Sequence, residues 1–225
     1  MKGSSTQLLF TLLLVAMCLF VACDSDKTMR DVEGNVYKTV RIGNQVWMAE
    51  NLRVSHFKNG DLIKNVQDNS AWNQSDSAAY CIYNNSNAYD KIYGKLYNWH
   101  CINDERGLAP KGWHIPSETE IVELIEVLAS DTSAASLMKE AGTSHWLTYA
   151  EDSSKDIGFN ALPAGYRMDD GSFHTLKSNA YFWTETASYE MFHWSSRLYR
   201  GFADVKREPY YMKYGLSVRC IKDAP

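Results

Sequence analysis

An α+β domain, compact and rich in loops, is the fold class this sequence predicts, and three observations predict it. A capped helix with a clean apolar stripe lies near the middle of the chain. A β-hairpin opens the domain, and short strand-like pieces separated by turns fill its last third. No βαβ rhythm, glycine-rich phosphate loop or long repeat interrupts that pattern, so the sheet is expected to be antiparallel.

The hairpin comes first. Val36–Ile42 alternates apolar and polar residues, Gly43-Asn44 makes the turn, and Gln45–Ala49 returns. Residues 54–79 are polar and mixed and read as irregular loop. Tyr80–Tyr83 is a strand candidate. Lys91–Cys101 carries closely spaced aromatics, and its period fits a strand or a short buried helix equally well. Ser117-Glu118-Thr119-Glu120 has the composition of a capping box. Ile121, Leu124, Ile125 and Leu128 then follow at helical spacing, with Pro116 setting the way in. A second, shorter helix is expected over 133–140, stopping at Gly142. Strand pieces follow at 159–162, 165–168, 172–176, 181–186, 192–198 and 216–221, with the turn Asp169-Asp170-Gly171-Ser172 among them.

The first 22 residues are built differently. Lys2 is their only charge, and Leu8–Ala22 has no charged residue, Gly or Pro. As a helix that run would rise about 22 Å, short of the ~30 Å hydrocarbon core. It reads as a signal peptide rather than a stable span. Leu19-Phe20-Val21-Ala22-Cys23 is similar to the bacterial lipobox, in which the cysteine becomes the lipidated first residue. The polar tether Asp24-Ser25-Asp26-Lys27 begins at once. The expected organisation is therefore a signal peptide over 1–22, lipidated Cys23 with a short tether over 23–31, and one globular domain over 32–223. Several acyl chains at one N-terminus anchor stably where one does not. The expected location is outside the cytoplasm, lipid-anchored to an outer membrane and either periplasmic or displayed at the surface.

Charge excludes one class of partner. The chain holds 23 Lys and Arg against 27 Asp and Glu, and no basic run or face, so nucleic acid is not expected. All seven Trp and all fourteen Tyr lie after Cys23, which suits both a core and a binding surface. After Cys23 only Cys81, Cys101 and Cys220 remain, an odd number. In an oxidising compartment, one disulfide and one free thiol is the simplest arrangement. No CxxC or zinc-ligand spacing occurs, and the six histidines form neither HxH nor HExxH. No metal, cofactor or catalytic residue is assigned. Glu50, Asp169-Asp170 and Glu185 are the candidate acids. A turn composition accounts for the pair, and satisfaction of loop backbone groups accounts for Glu50 with Asn51.

Five segments, taken in order, carry a resemblance. They are Gly43–Leu52 (GNQVWMAENL), Tyr93–Trp99 (YGKLYNW), Gly107–Ser117 (GLAPKGWHIPS), Gly158–Arg167 (GFNALPAGYR) and Gly215–Asp223 (GLSVRCIKD). Together they resemble the Fibrobacter succinogenes major paralogous domain family, abundant in exported Bacteroidetes and Fibrobacter proteins. The resemblance runs from about Val32 to Asp223. It is also distantly similar to C-type-lectin-like and formylglycine-generating-enzyme-like domains. It implies a loop-rich α+β domain and little about activity. The reactive cysteine pair of the formylglycine enzymes is missing, and so are the calcium motifs of C-type lectins, since Glu208-Pro209 is followed by Tyr210. Within the resemblance Cys101 stands where another residue is expected, which implies Cys81 and Cys220 as the favoured disulfide pair, with Cys101 free or an alternative partner.

The functional expectation is a lipoprotein with a non-catalytic binding domain, for glycan or for an envelope or host protein. Its expected ligand site is Trp183, Glu185, Trp194, Arg197 and Tyr199, where aromatic rings stack and arginine adds directional donors. The alternatives are a structural or assembly lipoprotein without a small ligand and, ranked last, a hydrolase or modifying enzyme.

Overall fold

The structure is a computed structural model that describes residues 27–129, 133–147 and 155–224. The expected signal peptide, Cys23 and the expected tether as far as Asp26 lie outside the described residues. Among the described residues no helix is long and apolar enough to cross a membrane.

The chain is α+β, as its patterning predicts. Strands β1 (Thr28–Arg30), β2 (Val36–Ile42) and β3 (Gln45–Met48) open it, followed by β4 (Lys64–Asn65), helix α1 (Asn69–Asn73) and β5 (Ala79–Cys81). Helix α2 (Asn87–Tyr93), β6 (Leu96–Tyr97), α3 (Trp99–Ile102) and β7 (Trp113–His114) lead into the long helix α4 (Glu118–Leu128) and the short α5 (Ala134–Met138). The last third holds β8 (Tyr166–Arg167), β9 (Phe173–His174), β10 (Asn179–Tyr189), β11 (Phe192–Tyr199), β12 (Lys206–Tyr211) and β13 (Ile221–Lys222). The ambiguous stretch 91–101 divides into the end of α2, β6 and most of α3. Residues 159–162 form no named strand; Ala161 makes one isolated bridge to Lys139.

The N-terminal hairpin and the C-terminal strand close one sheet in the order β1-β2-β3-β13-β7. Ile221 sits between Trp47 on one side and His114 on the other. Helix α4 starts as its sequence predicts. Ser117 Oγ accepts from the Glu120 amide at 3.2 Å, and the Glu120 carboxylate accepts from the Ser117 amide at 2.8 Å. Ile121, Leu124 and Leu128 are buried along its stripe.

The second sheet, β10-β11-β12, explains the rest of the core. Residues paired across antiparallel strands share a face, and successive residues alternate. Tyr181 and Trp183 enter one apolar cluster with Tyr37, Phe57, Tyr97 and Val218. Ala180, Phe182 and Leu198 enter another, with Trp47, Leu124 and Met138. Both faces of this sheet are covered, which is why Asn179–Thr184 is buried without interruption. A third cluster gathers Trp72, Cys81, Tyr83 and Tyr93 beneath β8 and β9.

Two arginines are buried in these cores without a carboxylate partner. Arg167 donates to the carbonyls of Gly171, Val66 and Gln67 and to Asn69 Oδ1, at 2.6–3.0 Å, and lies against Trp72 and Phe173. Arg219 donates to Asn51 Oδ1 at 2.8 Å and to the carbonyls of Phe159 and Asn160, between the rings of Phe159 and Phe182. Each guanidinium closes loop backbone that would otherwise be buried unsatisfied. Burial pulls the Arg219 pKa down to about 9, so it stays charged at neutral pH.

The disulfide implied by the resemblance is not formed. Cys81, Cys101 and Cys220 are all free and buried. Cys81 packs in the third cluster, while Cys220 packs in the first. Burial pushes the Cys81 thiol up to about 12 and raises the other two as well, so none is a ready nucleophile.

Candidate functional site

The residues expected to form a ligand site do not come together. Trp183 is fully buried, and its indole N–H donates to the Tyr97 carbonyl at 2.8 Å. Trp194 and Arg197 lie on opposite faces of β11, because Trp194 pairs with Pro209 while Arg197 pairs with Lys206 in an unbroken register. Tyr199 is at the far end of that strand, against Phe202. Glu185 is exposed, and its backbone N–H donates to the Pro116 carbonyl. Arg197 shares one face of the sheet with Tyr181, Glu208 and Tyr210, while Trp194 shares the opposite face with Phe192 and Tyr211.

The aromatic surface that the fold does build is made of tyrosines. A continuous row runs from His174 through Tyr166, Tyr214, Tyr211 and Phe192 to Tyr189, with centroid steps of 5.4, 5.7, 6.3, 5.8 and 5.1 Å. Tyr189 is 57% exposed, and the other five rings are partly exposed. Four stretches of chain supply it: β8, β9, the β10–β11 hairpin, and β12 with the turn after it. Tyr210 lies behind the row and touches Tyr166, Tyr181 and Tyr214.

Polar groups flank the rings. Ser172 Oγ bridges Asp170 and His174 Nε2 at 2.5 and 2.7 Å, and its hydrogen bond holds the Asp170 carboxyl below the usual range. Arg197 pairs with Glu208 at 3.0 Å. Burial opposes the Arg197 charge, but Tyr210, Glu208 and Tyr181 outweigh it and raise its pKa. Burial also raises the phenols of Tyr166, Tyr210 and Tyr214, so these stay protonated and able to donate. Composition held one local signal for the row, the run Tyr210-Tyr211-Met212-Lys213-Tyr214. The partners from β8, β9 and the hairpin tip had none, since topology brings them there.

A groove of about 370 Å³ opens elsewhere, lined by Lys38, Glu50, Asn51, Arg53, Lys91 and Asp156 among others. Glu50 is tied down there. Its carboxylate accepts from the Lys38 amide at 2.9 Å and from Arg53 at 3.2 Å. Asn51 donates to the Tyr93 carbonyl and accepts from Arg219.

A third feature is an open depression of about 560 Å³ bordered by Trp99, His100, Asp76, Asp104 and Met212. Behind it His193 stacks on Trp99, with centroids 3.4 Å apart and planes at 4°. Neither His193 ring nitrogen has a hydrogen-bond partner among the described residues, and neither do Trp99 Nε1 and His100 Nε2. Burial, helped by His100, pulls the His193 pKa down to about 4. An unfolded histidine takes its proton near 6.5, so the unfolded state binds that proton first. Stability from the neutral imidazole is present above about 6.5 and is lost as pH falls towards about 4. His193→Phe keeps the stack and removes the titration. Its melting temperature is expected to exceed the parent's at pH 5 and to fall less steeply between pH 7 and 4.5; equal slopes would rule out His193 as the source.

No group of three or more His, Cys, Asp or Glu among the described residues is arranged to hold a metal ion. No curated protein and no solved structure matches the chain. A family model does match, over residues 40–222, which is most of the chain and takes in nearly all of the five segments quoted above. The matched span contains the buried arginines and the whole tyrosine row, and on it the chain belongs to the Fibrobacter succinogenes major domain family.

Proposed function

We propose that this chain is an exported lipoprotein, anchored through Cys23 to an outer membrane, whose non-catalytic domain binds glycan along the tyrosine row. One observation carries the ligand class: six aromatic rings in unbroken succession, with Arg197, Glu208, Asp170 and Ser172 near the Tyr166 end and Tyr211, Phe192 and Tyr189 continuing past the edge of the sheet onto its other face. Ring faces stack on the apolar faces of sugars, while phenols, carboxylates and a guanidinium meet hydroxyl groups directionally. A row rather than a pocket suits a chain of sugars.

The test is titration of the acyl-free chain, residues 24–225, with oligosaccharides chosen from an array screen, beside Tyr214→Ala and Tyr166→Ala. Each substitution is expected to weaken binding by the folded variant about tenfold, or about 1.4 kcal/mol. Binding that survives both substitutions would place the ligand elsewhere. Silence across the array would leave the row as a protein-docking face and end the glycan reading.

A further inference from the structure

We propose that acid opens the tyrosine row: a proton on His193 parts its ring from Trp99 and frees the turn that carries Tyr211 and Tyr214, so that bound glycan is released. The release rests on the glycan reading above; the opening does not. Connectivity is the first argument. His193 follows Phe192 of the row and pairs with Tyr210 across β11 and β12. Its ring covers that of Trp99 at the start of α3. The Trp99 amide donates to the Met212 carbonyl at 2.9 Å, and the Met212 amide donates to the Met191 carbonyl at 2.8 Å. Met212 thus ties α3 to the tip of the β10–β11 hairpin. Tyr211 and Tyr214, on either side of it in the chain, are successive rings of the row.

The surroundings of the imidazole are the second argument. His193 is 5% exposed, and neither ring nitrogen has a partner among the described residues. From β10 it faces Ala187, from β12 Tyr210, and from α3 His100, whose charged form repels a second cation. Asp76 and Lys213 act on His100 and pair with each other at 2.7 Å. Lys213 holds the Asp76 carboxyl below the usual carboxylate range, so that pair outlasts mild acid and is not the trigger. The Trp99 face would attract an imidazolium, but both of its N–H groups would be buried without acceptors, and that cost is the larger. Burial accordingly pulls the His193 pKa down to about 4. A histidine released to water takes its proton near 6.5. The open form therefore gains on the closed one as pH falls below about 6.5, by about 50-fold between pH 7 and 4.5.

Amide hydrogen exchange and glycan titration of the acyl-free chain test this together. Residues 24–225 contain every described element and all three apolar clusters, so the whole fold is present. The Met212 amide is expected to be less protected than the Met48 amide, which donates to the Cys220 carbonyl inside the first sheet. Between pH 7 and 4.5 the protection of Met212 should fall about 50-fold in the parent and under about fivefold in His193→Phe, which keeps the stack and takes no proton. Glycan affinity should fall with it, at least about fivefold more in the parent than in His193→Phe. His174 of the row is present in both chains, so any proton it takes cancels from that comparison. Should His193→Phe fail to fold, His193→Leu fills the place without titrating. Equal protection of Met212 and Met48 would mean that only unfolding of the whole domain exposes His193, and would overturn the proposal. An equal fall in protection in both chains would overturn it too. Falling protection with an affinity that does not change would overturn the release. Absence of glycan binding at pH 7 would end the glycan reading and the release with it, while exchange still decides the opening.

Discussion

Arg219→Met is expected to unfold the domain or bring it to the edge of unfolding, a loss of at least about 4 kcal/mol. Methionine fills much of the space between Phe159 and Phe182 but donates nothing. Asn51 Oδ1 and the carbonyls of Phe159 and Asn160 are then buried with no donor. Each orphaned acceptor costs about 1–3 kcal/mol, against a total stability of about 5–15 kcal/mol for an ordinary domain. Lysine keeps the charge but cannot reach three acceptors in a planar fork, so Arg219→Lys should recover only a minor part. Urea unfolding at pH 7 reads both. A loss under about 1 kcal/mol for Arg219→Met would show that the loop carbonyls find other donors and that the arginine is dispensable.

Trp183→Ala is the second large effect, and it falls on stability. The ring is fully buried in the first apolar cluster, so its removal leaves a cavity and should cost about 3–5 kcal/mol. Trp183→Phe keeps most of the packing, and the Tyr97 carbonyl still accepts from the Leu216 amide at 3.0 Å, so losing the indole bond costs about 1 kcal/mol. Glycan affinity of the folded Trp183→Phe chain is expected to equal the parent's, whereas folded Tyr214→Ala is expected to bind more weakly. If the pattern were reversed, Trp183 would belong to the ligand site and the tyrosine row would not.

The contrast shows what the sequence could reveal. The opening hairpin and helix α4 were legible because their determinants are local: an alternation around Gly43-Asn44, and a capping box followed by one apolar stripe. Strand β12 escaped notice because Lys206-Arg207-Glu208-Pro209-Tyr210-Tyr211 does not alternate. It tolerates Pro209 because it is an edge strand. Trp183 was placed at the surface for a related reason. A strand covered on both faces shows no alternation between core and solvent, so its residues cannot be sorted by side from the sequence. The Cys81–Cys220 pairing implied by the resemblance fails because those two thiols lie in different apolar clusters. The tyrosine row has no spacing to detect, since its rings meet only after four distant segments have been arranged.

The position of β13 also governs the order in which the molecule can be made. The Cys220 amide donates to Met48 Sδ across 172 residues, and Ile221 completes the sheet between β3 and β7. A chain still emerging from a ribosome or a translocation pore lacks its last strand, so β3 and β7 have no bridge between them. Contacts of such long sequence separation delay folding, because loop closure must precede the gain from pairing. The first sheet thus stays incomplete until those last residues are released, and a break in the chain before β13 leaves β1-β2-β3 paired but with no link to β7.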